Sequence, residues 1–380
     1  MPSAISIETL RDESAFAGLA GKWDGLVMAM TRPSPFLTHG WLHNWCRHHG
    51  GDGSLQVHVA WRGHRLVGAL PLIVSAHRGA RVAGYLGGQA APLADILVDD
   101  PDADGAAAKL LEGAEAEGNH LLDIFGPPAD SRIARVLEPY ALWQIEVVEA
   151  PVLSLTRGWE TVYREKTNAK KRNLHRRRRR QLERLGRVEV CVARGAEELD
   201  VALEEAFRLH ELRWRGRPDH SGFATPKGRN FHRAAMRELV KLDAPRIVTL
   251  RLNGRAIAFH YYFAMFGRMY VHRLGFDPAY ASYSPGLVNT LDAIAAAAAE
   301  GACQVEFLGG GERYKLELAD GVQPMHRLLG MTHGVRGHVL ARTILAETHA
   351  RRRLKRNPAV NRLYYRGLAP ARRAISIVRG

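Results

Sequence analysis

The sequence predicts an α+β protein of two related mixed-sheet halves in tandem, residues 1–150 and 186–330. A basic linker helix over 151–185 joins them, and a basic helical tail follows over 331–380. Two observations carry this expectation. Residues 246–252 and 256–266 are β-branched and aromatic runs of strand length divided by Asn253-Gly254, the strongest short-range hairpin signal, and residues 55–61 and 66–74 repeat the pattern around Gly63. Each half then continues through a helix and a second buried-looking strand to a glycine: helix 106–117 and strand 121–125 before Gly126, helix 285–300 and strand 304–308 before Gly309.

Taken in order, residues 10–30 read as one amphipathic helix with Ala15, Leu19 and Trp23 inward. Trp41 and Trp45 lie four apart on the next helix and make one aromatic face, a pattern that suits a core better than a cleft. Pro71 removes a ladder hydrogen bond, so its strand needs an edge or a bulge there. Residues 151–158 cross between the halves, and 159–185 read as one helix with Lys and Arg nearly continuous from Lys170 to Arg180. A strand at 188–193 and helices at 197–214 and 231–242 lead back to the second hairpin. The loop between those helices holds His220 and Ser221 without an identifiable carboxylate placed to complete a triad, which argues against a hydrolase of that type. Leu340, Ile344, Leu345, Leu354, Leu363 and Tyr364 are set among arginines in the tail, which suits either packing on the second half or an anionic membrane surface.

The formal net charge of +15 is local. Residues 164–187 hold 12 Lys/Arg against two Glu and residues 331–380 hold 12 against one, so the rest of the chain is net negative. Five consecutive arginines on a helix repel one another, by a few tenths of a kcal/mol per i,i+4 pair, and an anion would relieve this. A CoA phosphate, an acidic acceptor, lipid headgroups and RNA all fit that charge, but the run lacks the interleaved aromatics of nucleic-acid binders. Cys46, Cys191 and Cys303 form no C-x-x-C pair, so the expectation is a reducing cytoplasm, with no zinc site and no metal. No basic region followed by an apolar core opens the sequence, and no apolar run reaches the roughly 18 residues of a membrane span.

The chemistry concentrates between residues 256 and 320. Ser284 suits the N-cap and Pro285 the N1 position of the Ala-rich helix, whose unsatisfied N–H groups and positive dipole end form an anion site beside Gly286. Strand alternation sets Ala258, His260 and Tyr262 on one face, where a histidine can accept a proton near neutral pH. Glu306, between Val305 and Phe307, is the other candidate base, with burial raising its pKa. Gly309-Gly310-Gly311 lacks the Lys-Ser/Thr ending of a P-loop, which excludes nucleotide hydrolysis.

The order of these elements resembles the core of the GNAT acyltransferases, so that the expected fold is two GNAT-like domains, the first degenerate and the second catalytic. Tyr283-Ser-Pro-Gly286, Phe307-Leu-Gly-Gly-Gly and Glu312-Arg-Tyr-Lys315 are similar to the branch grouped with CelD cellulose-biosynthesis proteins, also called BioF2-like acetyltransferases, and related to the Fem transferases. The resemblance implies an acetyl-CoA or other acyl-CoA co-substrate held by Arg273, Tyr283, Ser284, Pro285 and Gly286. It implies catalysis by His260, Glu306, Tyr314 as acid to the thiolate and Lys315 on phosphate or acceptor. The acceptor would be an amine on an amino sugar, an amino acid derivative or a polysaccharide or envelope precursor. A Fem-like aminoacyl-tRNA-dependent transferase is the alternative, followed by a non-catalytic RNA- or membrane-binding protein.

Overall fold

The computed structural model describes residues 4–99, 103–140, 143–215, 222–310 and 312–356. The first half runs β1 (Ile5–Leu10), α1 (Glu13–Ala17), α2 (Ala20–Ala29), α3 (His39–His49), β2 (Ser54–Arg62), β3 (Arg65–His77), β4 (Ala80–Tyr85), β5 (Leu97–Val98), α4 (Ala103–Ala116), β6 (Leu121–Pro128), α5 (Arg132–Val136) and β7 (Trp143–Ser154). After α6 (Trp159–Lys166) and α7 (Ala169–Glu183) the pattern recurs as β8 (Val188–Ala193), α8 (Ala196–Trp214), α9 (Pro226–Val240), β9 (Pro245–Leu252), β10 (Arg255–Met265), β11 (Arg268–Phe276), α10 (Pro285–Ala299), β12 (Gln304–Glu306), α11 (Arg313–Leu318), β13 (Gly321–Gly330) and α12 (Gly334–Arg356).

The strands form one sheet in the order β1-β2-β3-β4-β6-β13-β7-β12-β11-β10-β9-β8, with β5 beside β3. Its two ends mirror each other. β4 runs parallel to β6 and β11 to β12, each pair bridged by one helix, α4 or α10, while the other described pairings are antiparallel. Both hairpins carry a register shift just beyond their turns, at Ala60/Trp61 and at Ala256/Ala258. The last strands are exchanged: β7, which follows the first half, pairs with β12, and β13, which follows the second, pairs with β6. Because β7 and β13 also pair with each other, from Gly321 opposite Val152 to Leu329 opposite Trp143, the two expected half-sheets are joined edge to edge as one.

Several expectations are corrected. Residues 10–30 are not one helix, since residues 5–10 pair with β2 as an edge strand and Gly18 at the end of α1 separates two short helices. Residues 159–185 divide at Thr167, because Asn168 caps a new helix by accepting from the Lys171 N–H. Pro71 lies on neither an edge strand nor a bulge. It sits on interior β3 between the stretch paired with β5 (Gly68, Ala69) and the stretch paired with β4 (Leu72 onward), where the ladder on that side lapses. Helix α12 buries Leu340, Ala341 and Ile344 against Ala80, Val82, Leu121, Ile145 and Leu329, so it covers the first half and the central strands rather than the second half. Leu363 and Tyr364 lie outside the described residues, as do His220, Ser221 and Gly311. Among the described residues, no helix is long and apolar enough to cross a membrane.

Candidate functional site

Parallel strands β11 and β12 stay together for only three positions, Arg268 opposite Gln304 to Tyr270 opposite Glu306, and then separate. From Val271 onward β11 pairs with β10 alone, leaving an open fork whose inner edge is unpaired backbone. A bulge at Tyr261/Tyr262 inserts His272 into β11 here. This fork is the candidate site.

Paired residues of neighbouring strands share a face, so the register assigns each side chain. His260, opposite Val248 and Leu274, faces α10 with Tyr262 and Val271. Glu306 shares the opposite face with Tyr270, which packs into the larger core. The sheet therefore separates the His260 and Glu306 side chains. The bulge also shifts Arg273 into register with Tyr261, so it lies on the Glu306 face rather than with the Ser284 turn. Regular alternation would have put it on the α10 side.

On the α10 side, His260 is fully buried and, among the described residues, neither ring nitrogen has a hydrogen-bond partner. Burial, with the Lys315 charge adding to it, lowers the His260 pKa to about 3, so the ring is neutral and too weak a base to take a proton near pH 7. Asn289 of α10 donates Nδ2 to the Val248 carbonyl at 3.0 Å and leaves Oδ1 without a partner among the described residues. The Tyr314 hydroxyl, on α11 and packed edge-on to Phe307, also has none among the described residues, and burial raises its pKa so that it keeps its proton. Lys315 is turned inward: Nζ donates to the Gly309 carbonyl at 3.2 Å and meets Glu312 at 2.9 Å, strapping the glycine run.

Ser284 stands at the N-cap of α10 but in left-handed backbone, φ 54° and ψ 49°, and its side chain caps nothing, contrary to expectation. Pro285 has no N–H and the Leu287 and Val288 amides bond the Ser284 carbonyl at 3.1 and 3.2 Å, which leaves the Gly286 amide for another acceptor, and a strained non-glycine residue at such a turn is the kind found at ligand sites. Helix α7 lies beside it. Leu182 packs in one cluster with Val288 and Tyr283, Arg178 donates to the Ser282 carbonyl, and Arg179 bonds Asp292 at 2.7 Å. Lys170, Arg176, Arg177, Arg180 and Arg184 remain exposed on the outer side of α7. Gly286 packs tightly for a different reason than phosphate approach: a Cβ there would stand 2.9 Å from Cδ1 of Phe276. Gly286→Ala is therefore expected to displace that ring or the helix start and lower the unfolding free energy by about 1–2 kcal/mol, checked by denaturant titration.

On the other face, Glu306 is 3% exposed. Its Oε1 accepts from Arg268 Nη1 at 3.2 Å and from Gln304 Nε2 at 2.5 Å, while Oε2 has no partner among the described residues. Burial raises its pKa above the usual carboxylate value, partly offset by Arg268. It lines a cavity of about 710 Å³ at the seam of the two halves, shared with Arg32, Asp95, Asp130, Tyr270 and Gln323. The Tyr270 hydroxyl donates to the Pro33 carbonyl at 2.8 Å, and Arg32 pairs with Asp130, so the first half supplies one wall. Arg268, Tyr270, Asn289 and the first-half residues escaped sequence reasoning. A polar residue amid a buried strand, as Glu306 is, was the available signal; the wall from residues 32–34 had none.

Residues 169–316 match the acetyltransferase (GNAT) domain, a stretch that begins at the start of α7 and ends within α11. No curated protein matches the chain. Among solved structures it is similar to FemX, at 10% identity over 85% of this chain and 96% of that one with a TM-score of 0.57. It is also similar to L-PGS from Bacillus licheniformis, at 12% identity over 87% and 96% with a TM-score of 0.55. A conserved protein of unknown function from Bacteroides thetaiotaomicron aligns at 13% identity over 86% and 99% with a TM-score of 0.51. At such identities the likeness is one of fold. The chain has a GNAT-type acyltransferase fold, a mixed sheet carrying a GNAT domain in its second half.

Proposed function

We propose that the chain is an N-acyltransferase that moves an acetyl or other acyl group from acyl-CoA to an amine, with the chemistry at the β11–β12 fork. The observation that carries this is Glu306: a buried carboxylate at the last paired position before the fork, lining a seam cavity, with one oxygen held and the other buried without a partner among the described residues. The acceptor amine enters from the seam, and Glu306 takes its proton as the new C–N bond forms. Burial raises the Glu306 pKa, which makes it a better proton acceptor than an exposed carboxylate. The Tyr314 hydroxyl, protonated at working pH, donates to the departing sulfur, and the unpartnered atoms of His260 and Asn289 supply polar contacts on the α10 side. The residues fit an acyl-CoA: the uncapped α10 start beside Ser284, Pro285 and Gly286 suits its diphosphate, Tyr283 walls the turn, and α7 adds positive charge. Arg273, on the other face, then belongs with the acceptor.

The branch we favour is the CelD or BioF2-like one, with an amino sugar or another polysaccharide or envelope precursor as acceptor, acting in the cytoplasm or at the inner face of the membrane. The exposed cationic side of α7 favours one second reading, an aminoacyl-tRNA donor as in a Fem-type transferase, because its charge extends beyond what one diphosphate needs. Thiol release from acetyl-CoA separates the two. The proposal expects amine-dependent release of free CoA over a panel of amino sugars and amino acids. No release with any amine, together with transfer from aminoacyl-tRNA, would establish the second reading instead.

A further inference from the structure

The first half holds a fork of its own. β4 and β6 pair in parallel over three positions, Val82 opposite Leu121 to Gly84 opposite Asp123, and like the β11–β12 fork this one ends on a carboxylate of its later strand. The two carboxylates differ in their partners. Both oxygens of Asp123 are held by Arg327 of β13, from Nε at 2.7 Å and Nη2 at 2.5 Å, whereas one oxygen of Glu306 has no partner among the described residues. A bidentate guanidinium cancels the charge and occupies the lone pairs that a base would use. The first fork is thus built without a proton acceptor.

Its space is nevertheless retained. Where Tyr270 fills the second fork, Gly84 stands in the first, and a cavity of about 670 Å³ opens there, within the range of small-molecule sites. Trp45, Tyr85 and Phe125 give it aromatic walls, Gln89 and Ser75 add polar groups, and Asp123 and Arg327 are the two charged residues among those lining it. Thr348 of α12 also lines it and accepts from Arg327 Nη1 at 3.4 Å, so the final described helix steadies the pair.

We propose that this fork binds an uncharged, hydroxyl-rich ring, the chemistry of a neutral sugar residue. A charged ligand would find no net opposite charge, because Asp123 and Arg327 cancel. A wholly apolar ligand would strip water from that pair and return no hydrogen bonds. A sugar ring meets both demands, its C–H faces stacking on the aromatic walls and its hydroxyls bonding the outward edges of the ion pair. The first half then positions a saccharide while the second half carries the chemistry.

Binding is read without turnover, so this inference and the acyl-transfer reading fail separately. Saturation-transfer NMR on the full chain, with neutral disaccharides of glucose, galactose and N-acetylglucosamine as probes, should give a saturable signal from at least one. Trp45→Ala should weaken that signal about tenfold. Gln89→Ala, at an exposed position that does not support the fold, should weaken it about threefold. No signal from any probe, or a signal that both variants leave intact, would overturn the proposal.

Discussion

Glu306→Gln is expected to lower acyl transfer by about 10²- to 10⁴-fold while acyl-CoA affinity stays within a few-fold of the parent. The substitution keeps shape and the contact to Arg268 but removes the proton acceptor at the fork. In the parent, kcat/KM should rise with pH through a value above the ordinary carboxylate range, because burial raises the Glu306 pKa and only the ionised form accepts the proton. That limb should disappear in the variant. His260→Gln should cost less, since a ring with a pKa of about 3 is already an inefficient base at neutral pH. Steady-state kinetics from pH 5 to 9 check both, and full turnover in Glu306→Gln would mean that water takes the proton.

Acid should unfold the chain steeply well above pH 4. Burial is the main cause that lowers the pKa of His39 and His58 to about 4 and of His260 to about 3, and the three residues are 6%, 0% and 0% exposed. In the unfolded chain these rings protonate below about pH 6.5, and in the native chain they do not until pH 4 or 3. The unfolded state therefore binds the extra protons, and stability present above pH 6.5 is lost as pH falls toward 4. Three rings together withdraw roughly 6 kcal/mol at pH 5, a large share of a typical domain's margin. The half-buried Asp95 and Asp292 and the buried Glu306 act in the opposite sense, because their raised pKa values let the native state gain protons first. Urea midpoints at pH 7 and pH 5 measure the balance; an unchanged midpoint would mean that these rings are hydrated in solution.

The parts of the fold legible in the sequence are those specified locally. Asn253-Gly254 and Gly63-His64 set both hairpins, and Pro285 marks the start of α10, because turn and cap chemistry act over a few residues. The exchange of β7 and β13 was not legible, since pairing residue 152 with 321 depends on contacts that no local pattern encodes. The break before α7 carried a signal in Asn168, which the basic run obscured. At the site, Glu306 could be picked out as a carboxylate in an apolar strand, but its face could not be assigned, because that depends on parallel register with β11. The face of Arg273 could not be read either, because it is set by the bulge that inserts His272.

Amide hydrogen exchange with and without acetyl-CoA tests most directly the claim that the second half holds the acyl donor. The account predicts slowed exchange at residues 271–276 along the open edge of β11, at 284–290 in the first turns of α10 and at 307–310 across the fork, with residues 84–91 and 121–126 of the first half unchanged. Protection confined to the first-half fork, or no protection anywhere at saturating acetyl-CoA, would contradict it.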